Sequence, residues 1–162
     1  MDFDAAFDIL VDPQHEGGYS FDPADPGGET MYGITARVAR ANGYTGAMRD
    51  LPRDVAKGIA RAAYWVPAHC DDVPDEVRFD LLDAAYNMGV HEAIVLLQRA
   101  VGVQDDGYYG GATQAAINFT NPNALLRRLN GHRLRFYTQL STWSSFGKGW
   151  AARVATNLLR DA

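Results

Sequence analysis

The 162-residue chain has a single cysteine, Cys70. It cannot close an internal disulfide, so its fold does not depend on an oxidising compartment. No apolar run approaches the roughly 20 residues that span a bilayer. The opening Met1-Asp2-Phe3-Asp4 is acidic and lacks the basic start and apolar centre of a secretory signal. If its substrate lies outside the cytoplasm, another agent is expected to deliver it. No Gly-x-Ser-x-Gly elbow is present to support serine hydrolysis, and no glycine loop ends in Gly-Lys-Ser/Thr to cradle phosphates. His69 and Cys70 lack partners at zinc spacing, and Asp22, Asp25 and Glu29 do not follow the calcium-loop offsets. No metal and no cofactor is therefore expected. Basic charge is scarce overall, with a net charge of −5 and a pI near 5.2, which argues against a nucleic-acid partner. There is no internal repeat, low-complexity tract or linker.

What is present is ordinary for one globular domain: 47% hydrophobic and 22% charged residues. The charge is uneven. Residues 1–106 carry nineteen of the 20 acidic groups and eight of the 15 basic ones, a net of −11. Residues 107–162 carry seven basic groups and one acidic, a net of +6. Either the two parts attract each other within one fold, or the basic part meets an anionic partner.

Hydrophobic spacing predicts a mainly α chain. Phe3, Phe7, Leu10 and Val11 mark a first helix over 3–12, closed by Pro13. Glycine and proline then dominate to about Gly33, a stretch read as ordered loop with a short β-hairpin. Thr35 caps a helix that stops at Gly43. Further helices fit Arg53 to Trp65, Pro74 to Gly89, His91 to Val101, Ala112 to Phe119, and a long one opened by Asn121-Pro122. A break is expected from Trp143 to Gly149, and a last helix from Trp150 to Leu159.

The loop after the first helix holds the chemistry. Glu16 follows a helix C-terminus, whose partial negative charge favours the protonated carboxyl. Tyr19 and Phe21 could desolvate it further. A carboxylic acid held protonated near neutral pH is what a glycosidic leaving oxygen requires. Gly17 and Gly18 let substrate approach the backbone. Asp25 or Asp22 could supply the second carboxylate that glycosidases use, and Thr30 could hold a water.

The blocks Glu16-Gly17-Gly18-Tyr19, Asp22-Pro23-Ala24-Asp25-Pro26-Gly27-Gly28-Glu29-Thr30 and Tyr32-Gly33-Ile34-Thr35 resemble the signature of glycoside hydrolase family 108. These are N-acetylmuramidases common among phage endolysins. The likeness continues through Tyr64-Trp65, Phe79-Asp80, Asn87-Met88-Gly89, Leu97-Gln98, Asp106 to Thr113, and Gly149 to Val154. It implies a lysozyme-like fold and hydrolysis of the β-1,4 bond between N-acetylmuramic acid and N-acetylglucosamine, with Glu16 as catalytic acid. Asp25 and Thr30 then fill the acid-and-threonine order of phage-type lysozymes, at a spacing one residue shorter. The second half resembles a peptidoglycan-binding segment, with Gly111 where a proline is usual. The domain plan is one compact unit over 1–162, a catalytic segment over about 5–90 and a peptidoglycan-binding-like segment over about 91–160.

Sugar contacts are expected from Tyr19, Tyr32 and Trp65 by aromatic stacking, and from Asn87 and Gln98 by hydrogen bonding; core packing is the competing reading for each. Arg127, Arg128, Arg133 and Arg135 cluster on or near the long helix and could meet anionic outer-membrane or cell-wall groups; a solvated helix face is the default reading. The partner is the peptidoglycan glycan strand and the expected state a monomer. The resemblance implies synthesis in the host cytoplasm and holin-type release to the periplasm and wall. Two other readings stay open: a non-catalytic wall-binding or secretion-helper protein on the same fold, and a chitin-directed hydrolase.

Overall fold

The computed structural model describes residues 1–13, 17–21 and 28–160. The chain divides into two compact units, Met1–Pro67 and Ala68–Ala162. Among the described residues, no helix is long and apolar enough to cross a membrane.

The first unit opens with α1 (Phe3–Leu10). Asp2 caps it, its carboxylate accepting from the Ala5 N–H at 2.9 Å, and Phe3, Ala6, Phe7 and Leu10 form the buried stripe. Three two-residue strands follow: β1 (Tyr19–Ser20), β2 (Thr30–Met31) and β3 (Ile34–Thr35), antiparallel in the order β1-β2-β3. Tyr19 pairs with Met31 and Ser20 with Thr30; Met31 pairs with Ile34 and Thr30 with Thr35. The β2–β3 turn is Tyr32-Gly33, with φ of 54° and 72°. Positive φ at both central residues makes this a mirror-image hairpin turn, whose twist matches the strands. The expected hairpin thus gains a third strand, because the chain turns at Tyr32-Gly33 and pairs Ile34-Thr35 back on β2. Thr35 then caps α2 (Ala36–Ala41), its hydroxyl accepting from the Val38 N–H at 3.3 Å. After a 3₁₀ turn at Met48–Asp50, α3 (Arg53–Ala60) runs on without a break into a π-type turn over Arg61–Trp65. Trp65 meets Phe3 edge-on, with ring centroids 5.3 Å apart.

The second unit is built from α4 (Asp75–Met88), α5 (Val90–Val101), α6 (Gly111–Asn118), α7 (Pro122–Thr138) and α8 (Trp143–Arg160). α4, α5 and α7 pack on one another, and α8 lies against α7. α4 lies in the second unit, where its Phe79 to Tyr86 stretch is wholly buried. Gly89 at φ 90° ends α4, and Gly102 at φ 77° ends α5. α7 opens as expected, with the Asn121 side chain accepting from the Ala124 N–H at 3.1 Å and Pro122 at the first turn.

The break expected at Trp143 to Gly149 is absent: α8 is one helix of 18 residues. Gly147 is buried there, and a Cβ at that position would strike the Trp143 ring one turn earlier. The glycine makes room for an indole lying along the helix, and does not end it.

Inside this unit sits a buried charge that the sequence reading left out. Asp83 on α4 is fully buried. Arg153 of α8 donates to its Oδ1 from Nε at 2.8 Å and Nη2 at 2.5 Å, and Asn157 donates to Oδ2 at 2.9 Å. Arg133 of α7, 0% exposed, brings Nη2 to 2.7 Å from Oδ2. Both partners of this ion pair are fully buried. Arg133 Nε donates to the Tyr137 hydroxyl at 2.9 Å, and that hydroxyl donates to Asn87 Oδ1 at 2.7 Å. Burial alone would raise the Asp83 carboxyl, but the two guanidiniums override it and hold it well below the usual carboxylate range.

Breaking this pair strands a buried guanidinium, so Asp83→Asn is expected to cost about 3–5 kcal/mol, read as a drop in the denaturant midpoint. The pH dependence follows. The folded carboxyl is depressed, so its stabilisation is complete above the unfolded value of about 4 and is lost as pH falls below it. Calorimetry from pH 7 down to pH 2 should find the gap between parent and D83N largest near neutrality and closing in acid. A gap independent of pH would show that Asp83 is not ionised in the fold.

Candidate functional site

Glu16, Asp22 and Asp25 lie outside the described residues, but the backbone on either side of them is defined. Past α1, the Gly17 N–H donates to the Asp12 carbonyl at 3.1 Å, turning the chain back onto the helix end. The space at Gly17 is closed: a Cβ there would sit 2.6 Å from the Val11 carbonyl oxygen and 2.7 Å from the Pro13 nitrogen. Those atoms are backbone and cannot swing aside, so only glycine fits. The residue that follows Glu16 is therefore held against the C-terminal turn of α1. Gly18, at φ 101°, then leads into β1.

The sheet fixes the other candidates of this unit. Thr30 is half-buried on β2, between Ser20 and Thr35. Tyr32 is half-buried, and its N–H donates to the Gly18 carbonyl at 3.1 Å. Its φ of 54° is uncommon for a bulky residue, the kind of backbone strain that clusters at functional sites. Tyr19 is 40% exposed, its hydroxyl donates to Glu29 Oε1 at 2.8 Å, and the Arg49 guanidinium lies 5.4 Å from its ring centroid. Glu29 and Arg49 were not among the expected site residues. The Gly28-Glu29-Thr30 block carried a signal for the first, and nothing in the sequence tied Arg49 to the loop. The sheet thus gathers Tyr19, Glu29, Thr30 and Tyr32 beside the strand ends that flank the loop.

Trp65 departs from its expected role. It is 0% exposed and packed on Phe3, so it supports α1 from within the core and offers no ring to a sugar.

In the second unit Gln98 is also corrected. It is 2% exposed, and both ends of its amide are engaged. Nε2 donates to Asp106 Oδ1 at 2.9 Å, the Tyr108 carbonyl at 3.0 Å and Thr113 Oγ1 at 3.2 Å; Oε1 accepts from the Gly107 N–H at 2.8 Å. Asp106 accepts in turn from the Tyr108 N–H at 2.9 Å. One buried amide therefore ties the end of α5 to the turn that precedes α6, and has nothing left for a ligand. Gly107 completes the clamp, with φ 75° and a position where a Cβ would strike the His91 ring. Gly111, where a proline is usual, is the first residue of α6. Asn87 is half-buried and accepts from the Tyr137 hydroxyl, which fixes its orientation at the end of α4.

Of the expected basic face, Arg127, Arg128 and Arg135 are exposed, whereas Arg133 is spent on Asp83 in the interior. Cys70 is buried, and burial followed by the charge of Asp71 pushes its thiol above the usual value, so it offers no thiolate nucleophile. Among the described residues, no group of three His, Cys, Asp or Glu side chains is placed to hold a metal ion.

Comparison with known proteins bears on both units. The family model described as Glycosyl hydrolase 108 matches residues 13–89, and that described as Predicted Peptidoglycan domain matches residues 92–155. Among solved structures, the chain is similar to SagA of Brucella abortus, with 34% sequence identity over 98% of this chain and 90% of that one, and a TM-score of 0.85. No curated protein matches. The helices and small sheet form a mainly α, lysozyme-like fold. The two family matches, in that order along one chain, together with a likeness that spans nearly all of it, make this protein a member of the glycosyl hydrolase 108 family, a glycoside hydrolase that acts on peptidoglycan.

Proposed function

We propose that the chain is an N-acetylmuramidase of the endolysin type, cleaving the β-1,4 bond between N-acetylmuramic acid and N-acetylglucosamine in the host wall. Glu16 protonates the leaving oxygen, Asp25 stabilises the developing positive charge or activates water, and Thr30 holds that water. One observation carries the reading: Gly17 has no room for a side chain against the C-terminal turn of α1. Gly17 follows Glu16 directly in the sequence, and it lies against the C-terminal turn of α1, whose partial negative charge disfavours a second one nearby. Proton transfer to a leaving group demands precise placement, and a neighbour with no room to move favours it. The Tyr32 strain and the Tyr19–Glu29 hydrogen bond support the same site from the sheet side. Release from the host cytoplasm to the wall by a separate membrane permeabiliser completes the proposal.

Glu16→Gln keeps shape and removes the proton donor. Hydrolysis of purified peptidoglycan, followed by release of reducing ends, is expected to fall about 10²- to 10⁴-fold with the circular-dichroism spectrum unchanged. Parent-like rates in E16Q would remove Glu16 from the mechanism. Mass spectrometry of the parent's products should find muramic acid at the reducing end; N-acetylglucosamine there, or cleavage of chitin oligomers in preference, would change the bond assignment.

Gly17→Ala tests the confinement itself. The methyl must push backbone, which costs about 1–3 kcal/mol, and a displacement near 1 Å is enough for about a 10²-fold loss of kcat. If G17A retains the parent's kcat, the position of this glycine does not govern the chemistry.

A further inference from the structure

A second polar site lies in the other unit, on the face made by α5 and the end of α7. Arg99, His132, Arg135, Phe136 and Gln139 line a half-open pocket of about 310 Å³. Two arginines line it, Arg99 from α5 and Arg135 from α7, and both are near enough to His132 to act on it by charge. Arg99 is steadied through Nε by Asp105 at 2.6 Å, which leaves its Nη groups without a partner among the described residues. The Arg135 guanidinium has no partner among the described residues. His132 registers the combined field: burial first, then the charges of Arg99 and Arg135, lower its pKa below the usual histidine value. The imidazole is thus mostly neutral near pH 7 and serves as a hydrogen-bonding group, while the positive charge is that of the arginines.

Planar guanidinium forks match carboxylates two bonds at a time, and an aromatic wall beside them suits the methylene groups that carry such carboxylates. The volume is at the small end for ligand pockets, room for a side chain or two but not for a run of sugars. Peptidoglycan glycan carries short peptides rich in free carboxylates. We propose that this pocket is a subsite for a carboxylate of the peptidoglycan stem peptide, a proposal that rests on reading the chain as a peptidoglycan hydrolase. The helical unit would then hold the wall by its peptide, while the Glu16 loop works on the sugar. A phosphate, the other common anion of bacterial envelopes, is compact and tetrahedral and makes no use of the Phe136 wall.

The test is calorimetric titration of the full chain with the free tripeptide L-Ala-γ-D-Glu-diaminopimelate, with the same peptide as its methyl esters, and with inorganic phosphate. The parent is expected to bind the free peptide at least tenfold more tightly than the ester. Arg135→Gln is expected to bind the free peptide about tenfold or more weakly, as the loss of a charge-assisted bond dictates. Because Arg135 is exposed and α7 does not use it internally, R135Q should melt with the parent. Equal affinity for peptide and ester, parent-like binding by R135Q, or phosphate binding as tightly as the peptide would each overturn the subsite. Glycan cleavage by the parent, measured alongside, keeps the two readings apart. Cleavage without carboxylate-dependent binding removes the subsite alone, and binding without cleavage removes the enzymatic reading alone.

Discussion

The helical unit is organised around Asp83, a carboxylate that has no access to water. Asp83 could stay ionised in the interior only if several donors reached it at once, and they come from two other helices: Arg133 on α7, and Arg153 and Asn157 on α8. Apolar packing tolerates small slips of one helix along another, because hydrophobic contact is not directional. A buried charge does not, since losing one partner leaves another stranded. The bond chain then runs outward from Arg133 through the Tyr137 hydroxyl to Asn87, while the Tyr137 ring stacks on Trp150 at 4.9 Å. The orientation of a half-buried amide at the end of α4 is therefore set by a charge one turn earlier on the same helix, reached by way of its neighbour.

The first unit achieves similar definition by exclusion. Its strands are two residues long, too short to fix a loop by ladder bonds alone. What fixes the chain is lack of space at Gly17 and the unusual backbone at Tyr32-Gly33. A glycine against backbone atoms and a tyrosine at positive φ each cost stability where they stand. They persist where position matters more than local ease, and here the two are joined, since the Tyr32 N–H donates to the carbonyl of Gly18, next to Gly17.

Much of this could be read from the residues. Helical spacing, Thr35, Asn121-Pro122, Gly89 and Gly102 located their helices because caps and stops act locally. The readings that failed involved partners far apart in sequence. Gly147 looked like a helix breaker because propensity cannot see an indole four residues away that needs the space. Arg133 looked like part of a basic surface because its spacing from its neighbours said nothing of Asp83, 50 residues earlier. There was a usable signal on the other side of the pair: Asp80 and Asp83 interrupt an otherwise apolar helix face, where an acid must have a partner. Trp65 and Gln98 sit in motifs of the family, and both serve the structure: one under α1, the other inside the α5–α6 turn. A recurrent motif marks a constraint without saying whether chemistry or packing imposed it.

That distinction also reshapes the charge asymmetry. Counted along the chain, the last third is strongly basic, which suggests a broad surface for an anionic partner. Placed in the fold, the excess divides. Arg133 and Arg153 neutralise a buried acid of the same unit, and Arg160 lies over the Phe79 ring at 4.4 Å. These cations are internal to the helical unit, as the attraction between the acidic and basic parts of the chain would have it. Arg127, Arg128, Arg135 and Lys148 remain outside, and Arg135 lines a pocket together with Arg99. Scattered exposed cations hold a diffuse anionic surface weakly and are screened by salt. Two arginines that line one pocket with Phe136 offer planar forks beside an aromatic wall, an arrangement that suits recognition of one planar anion better than general adhesion to a surface.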